Sequence, residues 1–366
     1  MKKSLLINLT ICILCFINFL NADSTKFTVE KSFPAAVFQN LILKGKIDLY
    51  FTQSDEVSLI AKAEKESDFD KVLYEYSGNT LTIQNGNQNP RGANVYIFGF
   101  RIDSAETSRK IILYLNAPSI ENLDKNYGGR IFFESGVDLP KLNVKQTGGG
   151  LIELNEITIG ELILNRSGGG VLNLSGIADY ANIHMSGGGN INAENFNIKK
   201  ANVTTLGGGR ITMLVSEELD LNRSGGGTAN ISGTADYAKI THSGGGTINA
   251  DNFFVKEANI NTSSGGRVNA SVLEKLDLYT SGGATVILSG KAYNAKIEQR
   301  SGGRLNASDL IIENADIILS GGVRGAIYVT EMLTIQMTGG GRVEYQGNPR
   351  IRQNLSGDAR LISNDL

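Results

Sequence analysis

The chain has 366 residues, with 44 glycines, 5 prolines and no tryptophan. Glycine near 12%, against the usual ~7%, comes without a Gly-x-y period, which excludes collagen and marks glycine as punctuation. A formal charge of −2 excludes an electrostatic hold on nucleic acid or anionic lipid, both of which need a clustered basic excess.

Residues 1–22 read as a secretory signal peptide. Lys2 and Lys3 give a positive start, Leu5–Leu20 is an apolar core, and Leu20-Asn21-Ala22 offers a small residue for cleavage. Both cysteines, Cys12 and Cys15, fall inside this leader, and neither follows a small residue as a lipid-anchor site requires. The mature chain is then expected to lack disulfides, and to lack any transmembrane segment. It would keep 33 basic and 37 acidic residues, a formal charge of −4. Export places it in the periplasm, on the outer-membrane surface or outside the cell.

Residues 23–127 alternate apolar and polar positions with few glycines, as in "LILKGKIDLYF" (Leu41–Phe51) and "KIILYLNAP" (Lys110–Pro118). "YSGNTLTI" (Tyr76–Ile83) carries a hairpin-turn signal. The segment reads as a β-rich N-terminal cap, or as irregular first coils that cover an open sheet end.

From residue 128 to 341 the chain repeats. "NRSGGG" stands at Asn165–Gly170 and again at Asn222–Gly227, "YTSGGA" at Tyr279–Ala284 and "QMTGGG" at Gln336–Gly341. Residues 165–221 and 222–278 are identical at 35 of 57 positions, and 279–335 is a more diverged third copy. Glycine clusters divide each copy in three, at steps averaging about 19 residues. Between clusters the residues alternate, with Ala181, Ile183 and Met185 apolar and Asn182, His184 and Ser186 polar.

A period of two means strands with one dry face, expected as two short strands per piece. Such pieces bury that face only by stacking. The predicted fold is therefore all-β, a parallel β-helix or β-solenoid of about twelve 19-residue coils. Glycine at each corner supplies backbone angles that side chains forbid. Phe196, Phe253 and Leu310 share one sequence column and are expected to stack inside. Residues 342–366, with "YQGNPR" (Tyr345–Arg350), form the expected C-terminal cap.

The opening "FQNLILKGKIDLYFTQSDEVSLIAKAE" (Phe38–Glu64), the element "APSIENL" (Ala117–Leu123) and the repeated glycine-cornered coils resemble the putative auto-transporter adhesin family, head GIN domain. The resemblance covers about Phe27 to Leu366. It implies an exported bacterial β-helical stack whose molecular function is largely unassigned, with adhesion as the family's label. The coils are expected to leave no room for a C-terminal β-barrel translocator.

The chemistry-bearing residues are sparse. His184 and His242 occupy neighbouring columns near corners and read as surface residues, with no cysteine or histidine partner to complete a metal site. Glycine triplets followed by strands rather than helices exclude a phosphate-binding loop. No cofactor is implied. Glu194, Asp251 and Ser308 share a column, as do Asp179 and Asp236. Their recurrence with the repeat favours turn-capping over catalysis, although a carbohydrate-active β-helix enzyme is the alternative reading.

Asn173 and Asn230 form one sequence column, and Asn192, Asn249 and Asn306 another, read as hydrogen-bonded ladders. Arg210, Arg267 and Arg324 recur once in each copy, with Tyr180 and Tyr237 as a second recurring pair. These five are the candidate interaction face, since arginine and tyrosine dominate protein contact surfaces. The sequence therefore points to an exported, non-enzymatic structural or adhesion-type solenoid. Its expected partners are glycans or surface proteins, not nucleic acid.

Overall fold

A computed structural model describes residues 27–86, 95–97, 100–102 and 111–364. The expected leader, with Cys12 and Cys15, lies outside the described residues. Those described contain no α-helix, only one 3-10 turn at Glu66–Lys71. None of their elements is a helix long and apolar enough to cross a membrane. The chain divides into two compact units, residues 1–120 with 124–134, and residues 121–123 with 135–366.

The first unit holds β1 (Val29–Phe33), β2 (Asn40–Lys44), β3 (Ile47–Gln53), β4 (Ser58–Ala63), β5 (Val72–Ser77), β6 (Thr80–Asn85), β7 (Val95–Ile97), β8 (Phe100–Ile102) and β9 (Ile111–Ala117). β10 (Asn122–Asn126) contains the boundary, and β11 (Arg130–Phe133) returns to the first unit. β1 pairs antiparallel with β4, β4 antiparallel with β9, β9 parallel with β3, and β3 parallel with β11. The expected hairpin is present as β5–β6, turning through Gly78 at φ 56°. Leu41, Leu49, Phe51, Leu81 and Leu115 form the dry side. Asp48 is buried and paired, its Oδ2 accepting from Arg130 Nε at 3.1 Å and Nη2 at 2.8 Å.

The second unit is the solenoid. It begins with β12 (Asp138–Thr147) and continues through β13 (Leu151–Ser167), β14 (Val171–Ser186), β15 (Asn190–Leu206), β16 (Arg210–Ser224), β17 (Thr228–Ser243) and β18 (Thr247–Ser263). Then come β19 (Arg267–Ser281), β20 (Thr285–Arg300), β21 (Arg304–Ser320), β22 (Arg324–Thr338), β23 (Arg342–Gln346), β24 (Arg350–Ser356) and β25 (Arg360–Ser363). Successive coils pair in parallel, the register shifting only at corners, as between β15 and β16. The stack continues past Gly341: β23 and β24 lie on β22, and β25 on β23.

Each coil is one bent strand, not the two short strands expected. In β15 the buried residues are Ile191 and Ala193, then Phe196 and Ile198, then Ala201, Val203 and Thr205. Alternation breaks twice, at the outward pairs Glu194-Asn195 and Lys199-Lys200. The pairing with β16 shifts register at the same two places. Two adjacent outward side chains can only be accommodated by turning the chain, so each pair is a corner. The glycine cluster is the third corner, and the coil has three sides.

The long sequence repeat is a cycle of three coil sizes. From Gly168 the corners fall at Gly187, Gly207 and Gly225, so that an intermediate, a long and a short coil follow one another. The same cycle runs through Gly244, Ser264 and Gly282, and then Ser301, Gly321 and Gly339. Ser264 (φ 135°) and Ser301 (φ 82°) take the positive-φ place that glycine holds elsewhere. In the intermediate coil of each cycle, Gly176, Gly233 and Gly290 lie in register with Phe196, Phe253 and Leu310. Those three are buried, as the shared column predicts.

Within a glycine triplet the three positions have different reasons to be glycine. The first has positive φ, as in Gly225 at 106°. The third packs backbone against backbone: a Cβ on Gly227 would lie 2.0 Å from the Gly209 carbonyl oxygen. The middle one, Gly226, has no atom within 4 Å of that position.

Candidate functional site

The side that follows each glycine corner carries two outward columns with one core column between them. The first outward column runs Asn190, Arg210, Thr228, Thr247, Arg267, Thr285, Arg304, Arg324, Arg342, Arg360. Arg210, Arg267 and Arg324 therefore share one column, three coils or ~14 Å apart. Spacing by whole copies showed only those three; Arg304, Arg342 and Arg360 belong to the same column. The signal was available in "SGGR", "GGVR" and "GGGR", where arginine directly follows the corner.

The second outward column is asparagine-rich. Asn173, Asn192, Thr212, Asn230, Asn249 and Asn269 are successive neighbours, so the two asparagine columns of the sequence are one in space. Unequal coil lengths hide this from a fixed period. Side-chain bonds link its members, with Asn192 Nδ2 donating to Asn173 Oδ1 at 2.8 Å and Asn249 Nδ2 to Asn230 Oδ1 at 2.8 Å.

Tyr180 and Tyr237 are 36% and 39% exposed. They share a column with Lys200 and Glu218 that opens the third side of the coil, two corners beyond the arginine column. The fold does not bring the tyrosines to the arginines. In the first unit, β9, β3 and β11 align Tyr114, Tyr50 and Phe132 as stacked rings, 5.3 and 4.9 Å between centroids. Lys62 lies over Tyr114 and Arg130 over Phe132. Sequence reading missed this ladder because its members come from strands far apart in the chain.

The carboxylates do not gather. Asp179 pairs with Lys199, and Asp236 with Lys256, each at 2.7 Å across one coil step. Glu194 and Asp251 are separated by three coils, ~14 Å, beyond the reach of a hydrolytic carboxylate pair.

His242 corrects an expectation. It is only 2% exposed, whereas His184 is exposed as expected. His242 stands where the first copy has Met185, one of the inward-alternating apolar residues, and so it turns inward. It belongs to an inner column just before the glycine corners: Gln146, Arg166, Met185, Thr205, Arg223, His242, Thr262, Thr280 and Gln299. Arg166 and Arg223 are 2% and 1% exposed. Arg166 Nη1 donates to the Asn190 carbonyl, and Arg223 Nη1 to Thr205 Oγ1 at 3.1 Å. Neither guanidinium has a hydrogen-bond partner at Nε or Nη2. Burial lowers both arginines, Arg166 to about 10.

Burial also lowers the His242 pKa, helped by the Arg223 guanidinium beside it and opposed by the Gly246 carbonyl at 3.1 Å. A base lowered in the native state is neutral there while the unfolded chain takes up a proton below its ordinary ~6.5. Stability from this site is therefore complete above pH ~6.5 and falls as pH drops toward the lowered native value, by up to ~1.4 kcal/mol per pH unit. Urea titrations from pH ~7.5 to about 5 should show this slope, and His242→Met should flatten it.

The family described as "Putative auto-transporter adhesin, head GIN domain" matches residues 37–232, 207–287 and 272–349. No curated protein matches the chain. Among solved structures, a putative adhesin from Bacteroides fragilis is 18% identical over 71% of this chain and 96% of its own, with a TM-score of 0.45. A putative lipid binding protein from Parabacteroides distasonis is 16% identical over 92% and 96%, TM-score 0.35. A putative adhesin from Parabacteroides merdae is 12% identical over the same shares, TM-score 0.26. At such TM-scores the likeness carries no functional inference.

Proposed function

Because the chain belongs to the family of putative auto-transporter adhesins with a head GIN domain, we propose that it is an exported, non-enzymatic adhesion-type protein. It binds glycans or surface proteins through the repetitive side that carries the arginine and asparagine columns. The observation that carries this reading is the placement of Arg210, Arg267 and Arg324 in one exposed column. None of the three has a carboxylate partner among the described residues. Arginines held at fixed spacing and left without counter-charges are suited to an external anionic or hydrogen-bonding partner. The lysine-paired aspartates and the separation of Glu194 from Asp251 support a non-enzymatic role.

Two measurements test the reading together. Protease added to intact cells should cut the protein, since adhesion needs exposure. A glycan and surface-protein array should capture wild type and lose most signal with Arg210→Gln, Arg267→Gln and Arg324→Gln combined. Protection from protease together with equal capture of wild type and triple variant would defeat it.

A further inference from the structure

We propose that the last coils of the solenoid hold a groove for a carboxylated glycan, an oligouronate running along the ladder Arg304–Arg324–Arg342. The proposal rests on the adhesion reading and names the substrate class and the place. From β21 onward the first outward column is all arginine, with Arg304, Arg324, Arg342 and Arg360 on four successive coils. All four are exposed. Neighbouring strands are ~4.8 Å apart, so four like charges stand in file. Arg342 meets Glu344 at 2.9 Å, whereas Arg304 and Arg324 have no carboxylate partner among the described residues. Earlier in the same column, threonines separate Arg210 from Arg267.

The positions next to this ladder are also distinct. The core column between the two outward ones reads Ile211, Ala229, Ile248, Val268, Val286, Leu305, then Gly325, then Val343. Gly325 has no positive φ, and a Cβ there would meet nothing closer than a Val343 methyl at 3.3 Å. The backbone does not require glycine at this position. Its neighbour Ala326 replaces the usual asparagine or threonine of the second outward column. The small outward Ala326 lines a depression of about 700 Å³ rimmed by Arg304, Asn306, Arg324, Arg342 and Glu344. Beside Arg210 and Arg267 the second outward column carries the larger Thr212 and Asn269.

One guanidinium per coil matches a polymer with one carboxylate per residue, and the guanidinium fork fits a carboxylate with two parallel N–H bonds. Asn306 and Glu344 add an amide and an acceptor suited to sugar hydroxyls. Nucleic acid fits less well, because the ladder has no aromatic ring on which a base could stack.

The test uses the full mature chain and a fluorescent oligogalacturonate, read by anisotropy. A neutral malto-oligosaccharide and single-stranded DNA serve as comparison probes. Oligogalacturonate should bind and the neutral sugar should not. Arg324→Gln should weaken binding about tenfold or more. Ala326→Leu, which fills the depression from the outward column without touching charge, should do the same, whereas Lys296→Gln on the third side should bind as wild type. Circular dichroism and melting confirm that each variant is folded. Unchanged binding by both Arg324→Gln and Ala326→Leu overturns the groove, as does DNA binding as tight as oligogalacturonate. Absence of oligogalacturonate binding while the array still captures wild type overturns the groove alone. A blank array on a protease-protected protein overturns the adhesion reading itself.

Discussion

Replacing Gly227 by alanine should destabilise the solenoid by about 3 kcal/mol, while the same change at Gly226, one residue earlier, should cost nothing. At Gly227 the new methyl would sit 2.0 Å from the Gly209 carbonyl oxygen and 2.6 Å from Arg223 Nη2. Its neighbours are backbone of the coil below and a fully buried side chain, so neither can step aside without breaking the Thr228 N–H to Gly209 carbonyl bond at 3.1 Å. At Gly226 no atom lies within 4 Å and φ is not positive. Alanine there restricts only the unfolded chain and should add about 0.5 kcal/mol of stability. Urea unfolding followed by circular dichroism checks both. Equal effects at the two positions would mean that the corners do not stack backbone on backbone.

Arg166→Met should raise stability by about 2 kcal/mol. A guanidinium buried without an acidic partner keeps its charge at the cost of lost hydration, and Arg166 leaves Nε and Nη2 without hydrogen bonds. Methionine already occupies the next place in the same inner column, as Met185. It matches the length of the arginine stem and carries no charge into the interior. The denaturation midpoint should rise with the m-value unchanged. A fall in midpoint would show that the guanidinium is compensated by a bound anion or water held in the column.

The architecture was readable because a strand with one dry face writes itself as alternation and a corner writes itself as glycine. Residues such as Ala181, Ile183 and Phe196 fell where that rule put them. The three-sided coil was not readable from alternation alone, because the outward pairs Glu194-Asn195 and Lys199-Lys200 look like ordinary polar sequence. At the corners marked by Gly265 and Gly302, Ser264 and Ser301 hold the glycine conformation one residue earlier, which blurred the exact coil lengths. Counting by whole copies found Arg210, Arg267 and Arg324 and passed over Arg304, Arg342 and Arg360. Columns in space follow the length of each coil, and those lengths differ within a copy. His242 was misplaced because polarity outweighed phase, although Met185 in the aligned slot marked the position as inward.

The alternation of three coil sizes also limits how such a chain changes length over generations. Adding or deleting a single turn would set Gly233 against a neighbour other than Phe253 and break the fixed succession of coil lengths. Unequal recombination between near-identical copies adds or removes a whole copy at once, and every coil then keeps its former neighbours. Reach is thus gained or lost in quanta of ~14 Å, and sister chains of different length remain equally well packed.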